Sequence, residues 1–238
     1  MTIVQARLPY VARAQHRNRL PLMADPKPPT EHFEHKFPSL IAILGAFALY
    51  LLLPEEISLF PRWLVPVIGA IVLVPLVIIN PRRVNRETTW SRWIGIGFAL
   101  ALALVNQVYV VIIVMQLVNG QIAGPRILLA AFAVWITNVI AFALVYWELD
   151  QGGPYARRVE GVRDDAPQDF RFPQQEDGAS WDPVFFDYAF FSLSNMMAFS
   201  PTDTMPLTLR AKALMAYQAL TGFVLLALVI SRAVNILT

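Results

Sequence analysis

Trp93–Val118 reads WIGIGFALALALVNQVYVVIIVMQLV, 26 residues without one Asp, Glu, Lys or Arg. At 1.5 Å per residue, a helix of about 20 residues crosses a hydrocarbon core roughly 30 Å thick. A stretch this long and apolar predicts a membrane-spanning helix. Four more stretches carry no charge: Leu40–Leu53, Trp63–Ile79, Ile127–Trp147 and Ala213–Ser231. The first is short, so it needs Phe37–Ser39, a locally thinned bilayer or partial embedding. All 36 charged side chains of the 238-residue chain fall outside these five stretches. Trp63, Trp90, Trp93 and Trp147 mark their ends, as an interfacial aromatic belt requires.

The expected fold is therefore all-α and polytopic, with five transmembrane helices plus a half-length pore-type helix or sixth span. Residues 1–38 form a polar basic tail that lacks the continuous apolar core of a cleavable signal. Residues 39–147 hold four spans, 148–183 a polar acidic linker, and 184–238 the half helix, a loop and the last span. One interfacial turn is expected around Val4–Leu8, and Pro54-Glu55-Glu56-Ile57 reads as a short interfacial helix start. The tail and the loop Asn80–Arg92 carry ten Lys/Arg, against Arg62 and Arg126 alone in the two intervening loops. This asymmetry places tail, second loop and linker on the cytoplasmic side of an inner membrane. With the linker there, a sixth crossing by the segment from Phe185 would return Arg232 to the cytoplasm.

The chain contains no cysteine, which excludes disulfides, thiolate metal sites and thiol nucleophiles. A formal charge of +2 is too small to argue for nucleic acid. His16, His32 and His35 all lie in the tail without a third ligand in sight, so no metal or other cofactor is expected. The spans contain no ionisable acid or base, which counts against an enzyme and against a proton-coupled carrier. The expected partners are the lipid bilayer and a further copy of the chain.

The last quarter adds a second pattern. Phe185–Ala198 is an apolar half-length segment, followed by Phe199-Ser200-Pro201-Thr202-Asp203, then Pro206-Leu207-Thr208 and a long apolar helix. Ser194–Thr208 reads SNMMAFSPTDTMPLT. It resembles the filter region of potassium-type channels, roughly TTLTTVGYGDITPVT, with Asp203, Pro206 and Thr208 on the family's Asp, Pro and Thr. Gln218-Ala219-Leu220-Thr221-Gly222 is similar to the E-A-L-x-G of the lining helix. That resemblance implies a pore module and weakly selective ion passage. Potassium selectivity is not implied, because Ser200 and Thr202 replace the glycines that aim the carbonyls inward and Pro201 locks φ. The order of spans, with Asp169-Phe170-Arg171-Phe172-Pro173 in the linker, also resembles a family of uncharacterised bacterial multi-pass inner-membrane proteins. It implies architecture and location only.

Each polar candidate has two readings. Asn106 and Gln107 share a depth with Thr137 and Asn138 on the antiparallel neighbour. They are interhelical glue or the lining of a solute path, and glue is favoured. Ser192 and Asn195 share a helix face. With Ser200, Pro201, Thr202 and Asp203 they form either a hydroxyl-rich vestibule or a capped turn, with Thr208 capping the last helix. Gln218 is a further polar group within a span. Glu148 and Asp150 bind a cation or a basic partner, or simply precede the helix stop Gly152-Gly153-Pro154. The leading function is a channel-like protein. The alternative is a non-conducting structural or accessory membrane protein.

Overall fold

The computed structural model describes residues 37–57, 61–79, 89–119, 124–157, 166–175, 181–197 and 204–237. Six α-helices dominate: α1 (Phe37–Leu51), α2 (Leu64–Ile79), α3 (Thr89–Asn119), α4 (Gly124–Leu149), α5 (Phe185–Met196) and α6 (Leu209–Leu237). Three are long and apolar enough to cross a membrane, over Trp90–Asn119, Pro125–Gly152 and Leu209–Asn235. This is compatible with a membrane location. α1 and α2 are equally apolar but only 15 and 16 residues long. The basic tail, the arginine loop at 80–88 and residues Ser200, Pro201, Thr202 and Asp203 lie outside the described residues.

α4 is the hub. It packs most extensively on α3, then on α5, α6 and α1. Of its apolar window 61% is buried, against 33% for α3 and 28% for α6, so α4 sits inside and the other two face outward. Its composition permits this. Ala130, Ala131, Ala133, Ala141 and Ala143 are all buried, and small side chains let neighbouring helix backbones approach closely. The outward faces carry Leu104, Val111, Met115, Phe223 and Ile230, all exposed in the isolated chain.

A Cβ added at Gly95 of α3 would fall 3.1 Å from the Glu148 carboxylate of α4, so the start of α3 lies beside the end of α4. α5 starts at that same end, where Phe185 packs edge-on against Trp147 at 5.8 Å. Seven residues later, Ser192 reaches the Val139 carbonyl of α4. Those two anchors on α4 are eight residues apart, or ~12 Å of helix. The chain then comes back. β1 (Phe170–Arg171) pairs antiparallel with β2 (Met205–Pro206), and Arg210 at the start of α6 donates to the Leu149 carbonyl. Both ends of the segment holding α5 are therefore tied to the C-terminal end of α4. The small ladder is an addition to the expected all-α fold. It forms because extended linker residues next to Pro206 have backbone groups that no helix satisfies.

α5 and α6 approach closely at one glycine. A Cβ on Gly222 would lie 2.3 Å from the Met196 carbonyl oxygen, which is backbone and cannot swing aside. Gly222→Ala should therefore cost ~1–3 kcal/mol through overpacking. Gly97→Ala is the control, because nothing lies within 4 Å of its Cβ position and helix propensity favours alanine. Thermal denaturation in detergent should show the Gly222 variant several degrees lower (~2–4 °C per kcal/mol) and the Gly97 variant unchanged or higher. Equal shifts would mean that the close approach does not hold α5 in place.

Candidate functional site: two buried polar networks

The first network joins α4, α5 and α6 within otherwise apolar helices. Gln218 of α6 is its centre and is fully buried. Its Oε1 accepts from the Tyr146 hydroxyl at 2.7 Å and from Asn195 Nδ2 at 2.8 Å. Its Nε2 donates to the Ser192 hydroxyl at 2.6 Å and to the Ser192 carbonyl at 3.2 Å. The Ser192 hydroxyl donates in turn to the Val139 carbonyl at 2.8 Å, and Asn195 Nδ2 also donates to the Met215 carbonyl at 3.0 Å. α5 delivers both partners from one face, because Tyr188, Phe191, Ser192 and Asn195 follow helical spacing and are all buried. Its first turn is held by Asp187, which accepts the Val184 N–H at 2.8 Å. An unpaired amide in an apolar interior costs several kcal/mol, and here both ends of the Gln218 amide are satisfied twice.

A smaller cluster joins α1, α3 and α4. Asn106 Oδ1 accepts from Thr137 at 2.6 Å and from Tyr50 at 3.2 Å. Asn106 Nδ2 and both amide atoms of Asn138 are buried and have no hydrogen-bond partner among the described residues. Gln107 turns away from this cluster. Its Oε1 accepts from Tyr217 of α6 at 3.0 Å, on an exposed face.

The second network lies at the C-terminal end of α4 and is built on two carboxylates. Asp150 is fully buried. Its Oδ1 accepts the backbone N–H groups of Asp169 at 2.7 Å and Phe170 at 3.3 Å, and its Oδ2 accepts the Tyr188 hydroxyl at 2.6 Å. Arg157 folds back over this point. It donates to the carbonyls of Trp147 at 2.8 Å and Asp150 at 2.7 Å, and stacks 5.1 Å from the Tyr188 ring centroid. A cation over the last carbonyls of a helix is favourable for the dipole, and the ring adds a cation–π contact. Asp169 is also buried, and it faces α6. Arg210 grips it in a fork, Nε to Oδ1 at 2.8 Å and Nη2 to Oδ2 at 2.5 Å, and the Thr208 hydroxyl donates to Oδ1. Thr208 also accepts the Ala211 N–H at 3.2 Å, which is the N-cap bond of α6.

The backbone that makes this possible is a helix stop. Gly152 and Gly153 take φ of 79° and 100°, where a side chain is strained, and Gln151 is also left-handed at 49°. The chain turns there so that Asp150 points inward. Around it, Tyr146, Phe170, Phe172, Tyr188 and Phe191 form one aromatic cluster with ring centroids 5.0–6.5 Å apart. The cluster excludes water from both carboxylates. Among the described residues no group of three or more His, Asp or Glu could hold a metal ion.

The structure thus brings Ser192, Asn195 and Gln218 together, and Asn106 with Thr137. Asn138 makes no side-chain hydrogen bond to either group, and Gln107 bonds elsewhere. The sequence reading missed Tyr146, Tyr188, Arg157, Asp169 and Arg210. The one available signal was Asp169-Phe170-Arg171-Phe172, an apolar alternation within a polar linker. Comparison with family models, curated proteins and solved structures gives no match.

Gln218→Leu strands the Tyr146 hydroxyl and the Asn195 amide, and should cost about 2–4 kcal/mol, since each buried unsatisfied group costs ~1–3 kcal/mol. In a Tyr146→Phe background the same substitution should cost about 0.5–1.5 kcal/mol less, because one stranded donor is already gone. Denaturation of the four proteins of this cycle in one detergent checks the coupling. Strict additivity would show that the two side chains do not share a bond.

Proposed function

We propose that the chain is a non-conducting membrane scaffold, in which a pore-like half helix serves as a packing element and anchors the acidic linker at one face of the bilayer. The observation that carries this reading is the closed hydrogen-bond network of Gln218, Tyr146, Asn195 and Ser192. The vestibule reading needs Ser192 and Asn195 to line a wet path. Here Ser192 and Asn195 spend their groups on α4 and α6 of the same chain and are buried. The alternative reading, weakly selective ion passage through an oligomer, draws its support from the sequence resemblance around Asp203.

In this reading α1 and α2 join α3, α4 and α6 as membrane-embedded helices, and α5 enters and leaves on one side instead of crossing as a sixth span. The anchoring of Phe185, Met205 and Arg210 at one end of α4 supports that topology. In this reading, with the charge asymmetry of the loops, the linker is cytoplasmic and the end of α6 lies on the opposite side.

Two measurements test the proposal. Full-length protein in planar bilayers should give no unitary potassium, sodium or chloride current above protein-free background, and discrete cation steps would overturn it. Reporter fusions after Arg163 and after Thr238 should report opposite sides of the membrane. The same side for both would restore the sixth crossing.

A further inference from the structure

At the end of the bundle opposite the linker, a cavity of about 660 Å³ opens between α1, the 3-10 turn Glu55–Ile57 and the first turns of α4. Its walls are apolar, from Leu49, Leu52, Leu129, Phe132 and neighbouring alanines. Leu52, Leu129 and Phe132 are more than half exposed, so the cavity opens sideways to whatever surrounds the helices. Its rim is charged. The connections 54–62 and 119–126 hold four charged residues in all, Glu55, Glu56, Arg62 and Arg126, and every one of them borders this cavity.

The four charges form two pairs. Arg62 contacts Glu55 closely, while Arg126 and Glu56 stand 3.8 Å apart, beyond a charge-assisted hydrogen bond. The rim is thus neutral overall, with donors and acceptors side by side. An anionic ligand alone would meet two carboxylates, and a cationic one two guanidiniums. A group that carries both charges satisfies the rim. The apolar walls begin at Leu129, three residues or ~5 Å along α4 from Arg126, and lead into its charge-free stretch. The volume lies within the roughly 300–1,000 Å³ usual for a ligand pocket.

From this geometry we infer that the cavity binds a phospholipid with a primary-amine, zwitterionic head group. Its phosphate accepts from Arg126 and Arg62, its ammonium donates to Glu56 and Glu55, and one acyl chain lies against Leu52, Leu129 and Phe132. A quaternary ammonium lacks the N–H donors that the carboxylates require. A glycerol head group leaves both carboxylates unmatched. This inference is independent of whether the chain conducts.

The test is native mass spectrometry of the full chain with equimolar phosphatidylethanolamine, phosphatidylcholine and phosphatidylglycerol. The ethanolamine lipid should be retained about tenfold over the other two, one charge-assisted contact's worth of discrimination. Glu55→Gln with Glu56→Gln should erase that preference, while Arg62→Gln with Arg126→Gln should lower retention of all three. Equal retention by the wild type, a preference for the glycerol lipid, or indifference to both double variants would overturn the proposal. A second readout does not depend on the variants. An ethanolamine lipid with a photoreactive acyl chain, in liposomes with wild-type protein, should label the segments around Leu52 and Leu129–Phe132. Labelling only elsewhere, or a dimer that seats a second copy in the cavity, also overturns it.

Discussion

The Gln218 carboxamide is the joint that fixes how the helices meet. Between apolar helices in lipid, side-chain packing alone discriminates poorly among rotations and depths, because lipid tails compete as partners. A directional polar group does discriminate. Gln218 accepts from α4 and α5 on one atom and donates to α5 on the other, so α5 can satisfy it at one depth and one rotation. Gly222 lies one turn further along the same face of α6 and leaves room for the Met196 backbone. Polar matching and steric clearance thus select the same placement, as expected of a sequence whose local choices agree.

The two buried carboxylates at the C-terminal end of α4 solve a different problem. A linker leaving the end of a span tends to be a loose tether, yet Asp150 and Asp169 hold its exit and re-entry against each other. Asp150 accepts from two backbone N–H groups and a tyrosine hydroxyl, with the Arg157 cation held nearby on the Trp147 and Asp150 carbonyls. Asp169 is neutralised by a charge, the Arg210 fork. Arg210 remains half exposed, so solvent screens that pair and its net contribution is modest, whereas its geometry still fixes where α6 begins. The buried aromatic rings of Tyr146, Phe170, Phe172, Tyr188 and Phe191 pack around them. The two carboxylates therefore fix where the described parts of the linker leave α4 and return to α6.

Much of the architecture was legible because hydrocarbon imposes simple rules. Charge-free runs marked the helices, and the depth match of Asn106 with Thr137 followed from two antiparallel helices joined by a short connection. Ser192 and Asn195 were readable as one face by their spacing. What that face meets was not readable, since a serine and an asparagine at helical spacing suit a wet vestibule and a dry interhelical bond equally well. The choice depends on Gln218, 23 residues beyond Asn195. The carboxylate network at the end of α4 was less legible still. Asp150 beside Gly152-Gly153 looks like a solvated helix stop, and Asp169 looks like one more acid in an acidic linker. Their burial requires Phe170 and Phe172 to fold under Tyr188, which no local periodicity announces. Residues 200–203, on which the channel resemblance rests most heavily, lie outside the described residues.

The unspent polar groups sharpen the choice between scaffold and conduit. The Gln218 network leaves its central amide fully used, so the half helix offers solute nothing among its buried groups. The side-chain amide atoms without partners among the described residues are Asn106 Nδ2, Gln107 Nε2, Gln116 Oε1 and both of Asn138. They sit in or beside the seam between α3 and α4, the most extensive helix pairing in the chain. Each orphaned group costs on the order of 1–3 kcal/mol, and water entering there would recover some of that. Water could enter only by parting α3 from α4, which would strip Ile113, Val134 and the small-residue face of α4 of their packing. On the proposed scaffold reading, the packing of α3 on α4 offsets that cost. A path for ions beside α5 would then compete with bonds that Ser192, Asn195 and Gln218 already make to the protein itself.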